Sequence, residues 1–317
     1  MKKLTVLFFL CIIPFIANAT ISEMSFGKWN IKFDDETKRA EFVKEGVTVL
    51  KDVKIKFKNG DVLLDASSYN SVKIKQEDIV DEVGKARKFT IEYTGSENSD
   101  NPIVYQNFYL YDGQDYFLTD VILQSPDNSI ISSNYIAPIS TEADNLFLPA
   151  DVNNRFITVP FDNDGFITYA SYPLSCSQTD PESLAIGRVA RDSVSMEVSA
   201  IFNGETQLGL VIGSVDHDTW KSAVRITGSP LAQGKITNLE CFSGVTHHIT
   251  RDMIDGVLKP HGAVKGQQVK SARMIVHYSG DWRTGLETFG DVCCAIAPKR
   301  SWDKPAPYGW SSWGGMG

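Results

Sequence analysis

The sequence predicts an all-β protein, a large antiparallel β-sandwich with one linking helix after it. Three observations carry that prediction. Apolar and polar residues alternate with period two, Gly-containing turn dipeptides separate the alternating runs, and no strand–helix–strand rhythm appears between residues 20 and 280. The chain has 317 residues, 42% hydrophobic and 22% charged. That is enough apolar mass for a core and too much for a disordered chain.

The first element is an address rather than structure. Lys2 and Lys3 precede the apolar run Leu4–Ala17, and Ala17-Asn18-Ala19 fits a small-x-small cleavage site. The run falls short of the ~20 residues that span a bilayer. Residues 1–19 are therefore expected to be a signal peptide, no transmembrane segment is expected, and the protein is expected to be secreted or periplasmic. Residues 20–280 are the expected sandwich. Val53 to Lys58 alternates apolar and charged, turns at Asn59-Gly60 and continues through Val62, Leu63 and Leu64. Phe108 to Tyr111 turns at Asp112-Gly113 into Tyr116-Phe117-Leu118, and Ser199 to Phe202 turns at Asn203-Gly204 into Leu208 to Ile212. Asp164-Gly165 introduces Phe166 to Tyr169. Each turn Gly is expected to supply a positive φ. Near the end, Trp282, Leu286, Phe289, Cys293 and Ile296 fall on one helical stripe, with Asp281 as N-cap and Pro298 as stop. Residues 281–304 are thus a helix and linker. From Pro305 the composition changes. Two of the six Trp and four of the 24 Gly lie between Gly309 and Gly317. Large rings in a tail with nothing to pack against suggest a stub, residues 305–317, of a further domain.

Composition excludes some functions and leaves others open. The formal net charge of −8, with no Lys/Arg tract, argues against nucleic acid. Four cysteines remain after the signal: Cys176, Cys241, Cys293 and Cys294. They read as free thiols or as one Cys176–Cys241 bridge, and the vicinal pair is expected to point two ways. No Cys-x-x-Cys spacing supports a zinc site, and neither a metal nor a cofactor is expected. Asp162 and Asp164 form an incomplete calcium-loop start and read chiefly as a hairpin turn. Asp216-His217-Asp218 and His247-His248 would place neighbouring side chains on opposite faces if extended, which suits structure better than metal binding. No Gly-x-Ser-x-Gly elbow is present. Tyr105, Phe108, Tyr109, Tyr111, Tyr116 and Phe117 form the densest aromatic cluster. Alternation would bury about half of them, and the rest could offer a face to sugar rings.

The tail Pro307-Tyr308-Gly309-Trp310-Ser311-Ser312-Trp313 resembles the Pro-x-Gly-Trp-Asn-Ser-Trp signature of clan D α-galactosidases, glycoside hydrolase families 27 and 36. Ser311 stands where the family usually has Asn. Residues 161–166 and 209–220 are also similar to segments of the large sandwich, or supersandwich, that precedes the family 36 barrel. The resemblance implies that residues 305–317 begin the first strand of an incomplete (β/α)8 barrel. It implies retaining hydrolysis of terminal α-galactosides by two Asp on later barrel strands, one nucleophile and one acid/base. Those strands would lie past Gly317, so no catalytic residue is expected here and the chain alone is expected to be inactive. Trp313, matching the family's sugar-pocket Trp, is the one substrate-binding residue carried over. The implied partner is a carbohydrate, an α-galactoside; related sugars and a homo-oligomer stay open. The alternative is a stand-alone carbohydrate-binding or oligomerisation sandwich.

Overall fold

A computed structural model describes residues 21–142, 148, 151–159, 170–174, 193–228, 235–250 and 253–305. Among them lie two large sheets of nine and ten strands and one α-helix, Trp282–Ile296. The first sheet runs Ile21–Phe26, Trp29–Asp34, Arg39–Lys44, Val47–Asn59, Ile136–Glu142, Ile236–Ser243, Ser222–Gly228 and Ser193–Met196, with Val62–Asp65 beside Val47–Asn59. The second runs Ala170–Pro173, Asn154–Thr158, Val198–Asn203, Gly209–Ser214, Met274–Ser279, Tyr116–Gln124, Ile103–Tyr111, Lys85–Ser96 and Tyr69–Val80, with Gln268–Lys270 beside Tyr116–Gln124. Neighbours pair antiparallel throughout this second sheet. Strand Met274–Ser279, late in the chain, is thus inserted between Gly209–Ser214 and Tyr116–Gln124, near the sheet's middle.

Alternation decides which residues fill the space between the sheets. Val53, Ile55 and Phe57 are fully buried, while Lys54 and Lys56 point away to Glu142 and Glu240. From the opposite sheet Phe108 and Phe117 enter the same core. Phe117 meets Trp29 edge-on at 4.8 Å and Phe42 at 5.1 Å between ring centroids. Such T-shaped contacts add about 0.5–1.5 kcal/mol each beyond burial. All three expected hairpins form: Val47–Asn59 with Val62–Asp65, Ile103–Tyr111 with Tyr116–Gln124, and Val198–Asn203 with Gly209–Ser214.

The turn chemistry follows expectation at two of these and departs at the third. Gly60 and Gly113 have φ of 59° and 70°. Gly204 lies outside the positive-φ residues, and Gln207 takes that conformation instead, at 65°. Asn203 explains how. Its Oδ1 accepts hydrogen bonds from the backbone N–H groups of Glu205 and Thr206, both at 3.0 Å, and so builds the turn with its side chain. The turn around Asp164-Gly165 lies outside the described residues.

Candidate functional site: the helix seat and the cleft at its end

The helix begins where the sequence places it. Asp281 caps it, accepting from the Arg283 N–H at 3.0 Å, and the Ala297 N–H closes it on the Cys293 carbonyl at 2.9 Å. The apolar stripe lies on the outer face of the second sheet. Trp282 stacks on Phe202 at 4.2 Å, and its Nε1 donates to Gln207 Oε1 at 3.0 Å. Leu286 and Phe289 cover Ala200, Phe202 and Val211. Val292, Cys293 and Ile296 cover Tyr111, Tyr116, Leu118 and Ile275.

Two glycines let the helix approach this closely. A Cβ on Gly209 would stand 2.6 Å from the Trp282 Cβ, and one on Gly285 would stand 2.7 Å from both His277 Nδ1 and Val211 Cγ2. His277 lies beneath the helix, 2% exposed, with its Nδ1 lacking any hydrogen-bond partner. Burial pushes its imidazole down to about 4.

At the helix's last turn opens a cleft of about 600 Å³. Its floor is polar and tightly paired. Arg273 holds Asp216 through its backbone N–H at 3.0 Å and through Nε and Nη2 at 3.0–3.1 Å, and its guanidinium also grips Glu82. Glu82 is held below the usual carboxylate range by that hydrogen bond. Lys270 pairs with Asp120 at 3.2 Å. Asp120 is fully buried and also accepts from Asn107 Nδ2 at 2.7 Å and the Tyr109 hydroxyl at 2.9 Å. Burial, then the Asp120 charge, raises the Tyr109 phenol well above its ordinary value. On the cleft's other side, His217 places Nδ1 3.6 Å from Glu197 Oε1 and Nε2 3.8 Å from Cys293 Sγ. Burial first, with Glu197 nearby, pushes the Cys293 thiol up to about 11.

This arrangement holds charge in place. Asp216 and Asp120 commit their oxygens to cations and hydrogen bonds, whereas a glycosidase needs one carboxyl free to give a proton. Among the described residues, no group of three or more His, Cys, Asp or Glu side chains is gathered for a metal. No helix among them is long and apolar enough to cross a membrane.

The residues singled out in the sequence are thus dispersed. Trp313, Asp162, Asp164, Cys176 and residues 1–19 lie outside the described residues. Asp216 sits just beyond strand Gly209–Ser214, in irregular backbone, and is held by Arg273. His217 instead faces Glu197 and Cys293. His247 and His248 lie on strand Val245–Thr250, whose register shifts between His247 and Ile249. Cys241 is a buried free thiol, and Cys293 and Cys294 are free, one half-buried and the other exposed. In the aromatic cluster, Phe108 and Phe117 are core, Tyr111 and Tyr116 are covered on the helix side, and only Tyr105 and Tyr109 are half-exposed. These six therefore form no open stacking platform.

No protein-family model matches the sequence. No curated protein matches it either. Solved structures do match its fold. The α-N-acetylgalactosaminidase NagBb from Bifidobacterium bifidum, in complex with Gal-NHAc-DNJ, overlays with a TM-score of 0.54 at 10% identity, covering 87% of this chain and 39% of that one. Its quadruple mutant overlays at 0.51 and 10% identity, covering 85% and 39%. The sandwich fold is shared with that glycosidase. A GH36 α-galactosidase, AgaA from Geobacillus stearothermophilus, overlays at 0.45 and 8% identity, covering 82% of this chain and 40% of its own. The shared fold covers most of this chain but spans only 39% of NagBb.

Sequence reasoning missed the sandwich's outer polar network. Asn107 and Asp120 interrupt mostly apolar strands, Ile103–Tyr111 and Tyr116–Gln124, and pair directly across them. Polar residues at facing positions in apolar strands were the available signal.

Proposed function

We propose that this chain is the N-terminal, non-catalytic β-sandwich part of a secreted α-galactosidase-like glycoside hydrolase. The full protein would hydrolyse terminal α-galactosides with retention, using two Asp on barrel strands that follow the sandwich. The observation that carries the reading is the shared fold: nearly all of this chain overlays on well under half of a glycosidase. Two features support it. A single capped helix follows the last strand of the second sheet, and residues 307–313 resemble the first strand motif of the α-galactosidase barrel, with Trp313 as half of a sugar site. Asp216, which lines the cleft, is tied to Arg273, which suits a supporting role rather than a catalytic one.

The test is an assay of the purified 317-residue chain on aryl α-galactoside and aryl α-N-acetylgalactosaminide. No turnover is expected from it. Expression together with the coding sequence that follows Gly317 should supply activity, reduced by Trp313→Ala mainly through KM. Turnover by the chain alone, abolished by changing any of its Asp residues, would overturn the reading.

A further inference from the structure

We propose that strand Tyr69–Val80 is the interface of a two-fold symmetric homodimer, in which this strand pairs antiparallel with its copy about Gln76 and joins the two second sheets edge to edge. The open edge is the first argument. The strand is the last of the second sheet, and among the described residues it pairs only with Lys85–Ser96. That pairing keeps one register from Tyr69↔Ser96 to Val80↔Lys85, with no bulge to bend the edge away. Lys75, Gln76, Glu77, Asp78 and Val80 are all exposed. A straight 12-residue strand with a free side is a template for another strand.

The second argument is register. An antiparallel ladder alternates pairs that exchange two hydrogen bonds with pairs that exchange none, so a residue whose N–H and C=O point outwards must face another that does the same. Those groups point outwards at every second residue. Two copies of one strand can therefore pair only about a residue, never about a peptide bond. The charges choose which residue. Centring on 73, 75, 77 or 78 sets a Lys, Glu or Asp against its own copy, and centring on 74 sets Lys73 against Lys75. Centring on Gln76 opposes no like charges. It sets each Lys75 opposite the second copy's Glu77, and Gln76 against Gln76 on the two-fold axis.

The third argument is what that register does with the side chains already in place. Lys75 bonds Glu92 at 2.7 Å and Glu77 bonds Lys88 at 2.9 Å, within one copy. Across the joint these would merge into an alternating row, Glu92 and Lys75 from one copy followed by Glu77 and Lys88 from the other. On the opposite face, Val80 is 75% exposed and comes opposite the second copy's Val72, a residue that packs against the sandwich core. The same charges oppose slipped registers, so the edge is selective for its own copy. The inference stands independently of any hydrolytic activity in the full protein.

Analytical ultracentrifugation of the 317-residue chain tests it. The ladder is a small interface, so a monomer–dimer equilibrium with Kd on the order of 10 μM is expected at low salt, weakening severalfold as salt is raised. Lys75→Glu and Glu77→Lys each turn two attractive contacts per dimer into repulsive ones and should each weaken it at least about tenfold. Gln76→Lys, which puts two charges on the axis, should do the same. Mixing the Lys75→Glu and Glu77→Lys variants should restore a dimer, now a heterodimer, because every opposed pair is again Lys with Glu. Circular dichroism checks that each variant folds, and Gln76→Lys carries the test if a charge reversal does not. The proposal is overturned if the parent stays monomeric at about 500 μM in low salt. It is equally overturned if the dimer survives all three substitutions, or if the two folded charge-reversed variants do not associate on mixing.

Discussion

Phe117 touches Trp29, Phe42 and Phe108, ring against ring, from the middle of the second sheet. Truncating it would remove a fully buried side chain and leave a cavity bounded by three stiff neighbours that cannot collapse into it. Phe117→Ala is expected to lose about 3–5 kcal/mol, read as a lower urea midpoint at an unchanged slope. His277 carries a different prediction. Its value falls from 6.5 to about 4 on folding because burial opposes its charge. A depressed histidine contributes stability that is complete above its unfolded value and is lost as pH falls from about 6.5 through 4. Each unit is worth 1.36 kcal/mol, so the loss approaches roughly 3 kcal/mol below pH 4. Comparing urea unfolding of the parent and His277→Gln between pH 7 and 4 isolates this slope, and parallel curves would contradict it. Alternation was enough to read Phe108 and Phe117 as core. Asp120 shares its hairpin with the facing Asn107 and neighbouring Tyr109, but the Lys270 that balances its charge comes from 150 residues away and was not legible.

At the scale of the element, the helix was the most legible part of the chain. Its stripe, its Asp281 cap and its end just before Pro298 all stand in local sequence. What the local sequence does not state is the difference between its two internal glycines. Gly285 lies against His277 and Val211, whereas a Cβ on Gly290 would meet nothing within 4 Å. Gly285→Ala is therefore expected to cost about 1–3 kcal/mol through overpacking, despite the better helix former. Gly290→Ala should instead stabilise by up to about 1 kcal/mol. Opposite shifts in Tm from the same substitution five residues apart would confirm that the seat, not propensity, governs Gly285. The hairpins show a similar division. Asn59-Gly60 and Asp112-Gly113 announce their turns, and Asn203-Gly204 announces one too, but its Asn rather than its Gly does the turning.

For the molecule as a whole, the sandwich class was legible and its cleft was not. Alternating runs and turns fix the strands' faces, and they fix neighbours only where a hairpin joins them. Pairings such as Gly209–Ser214 with Met274–Ser279 depend on long-range packing that no window of sequence contains. The cleft brings together residues around 216–220, 270–273 and 296–297, so it exists only once those pairings form. The central place of strand Met274–Ser279 has a kinetic consequence. The second sheet cannot be zipped shut until nearly the whole described chain is present, because its two halves meet only through that strand. Such non-local closure makes for slow folding with open strand edges in the meantime. During synthesis the earlier strands must wait, unpaired at the gap, and the helix that follows Ser279 docks as the last act of the same closure.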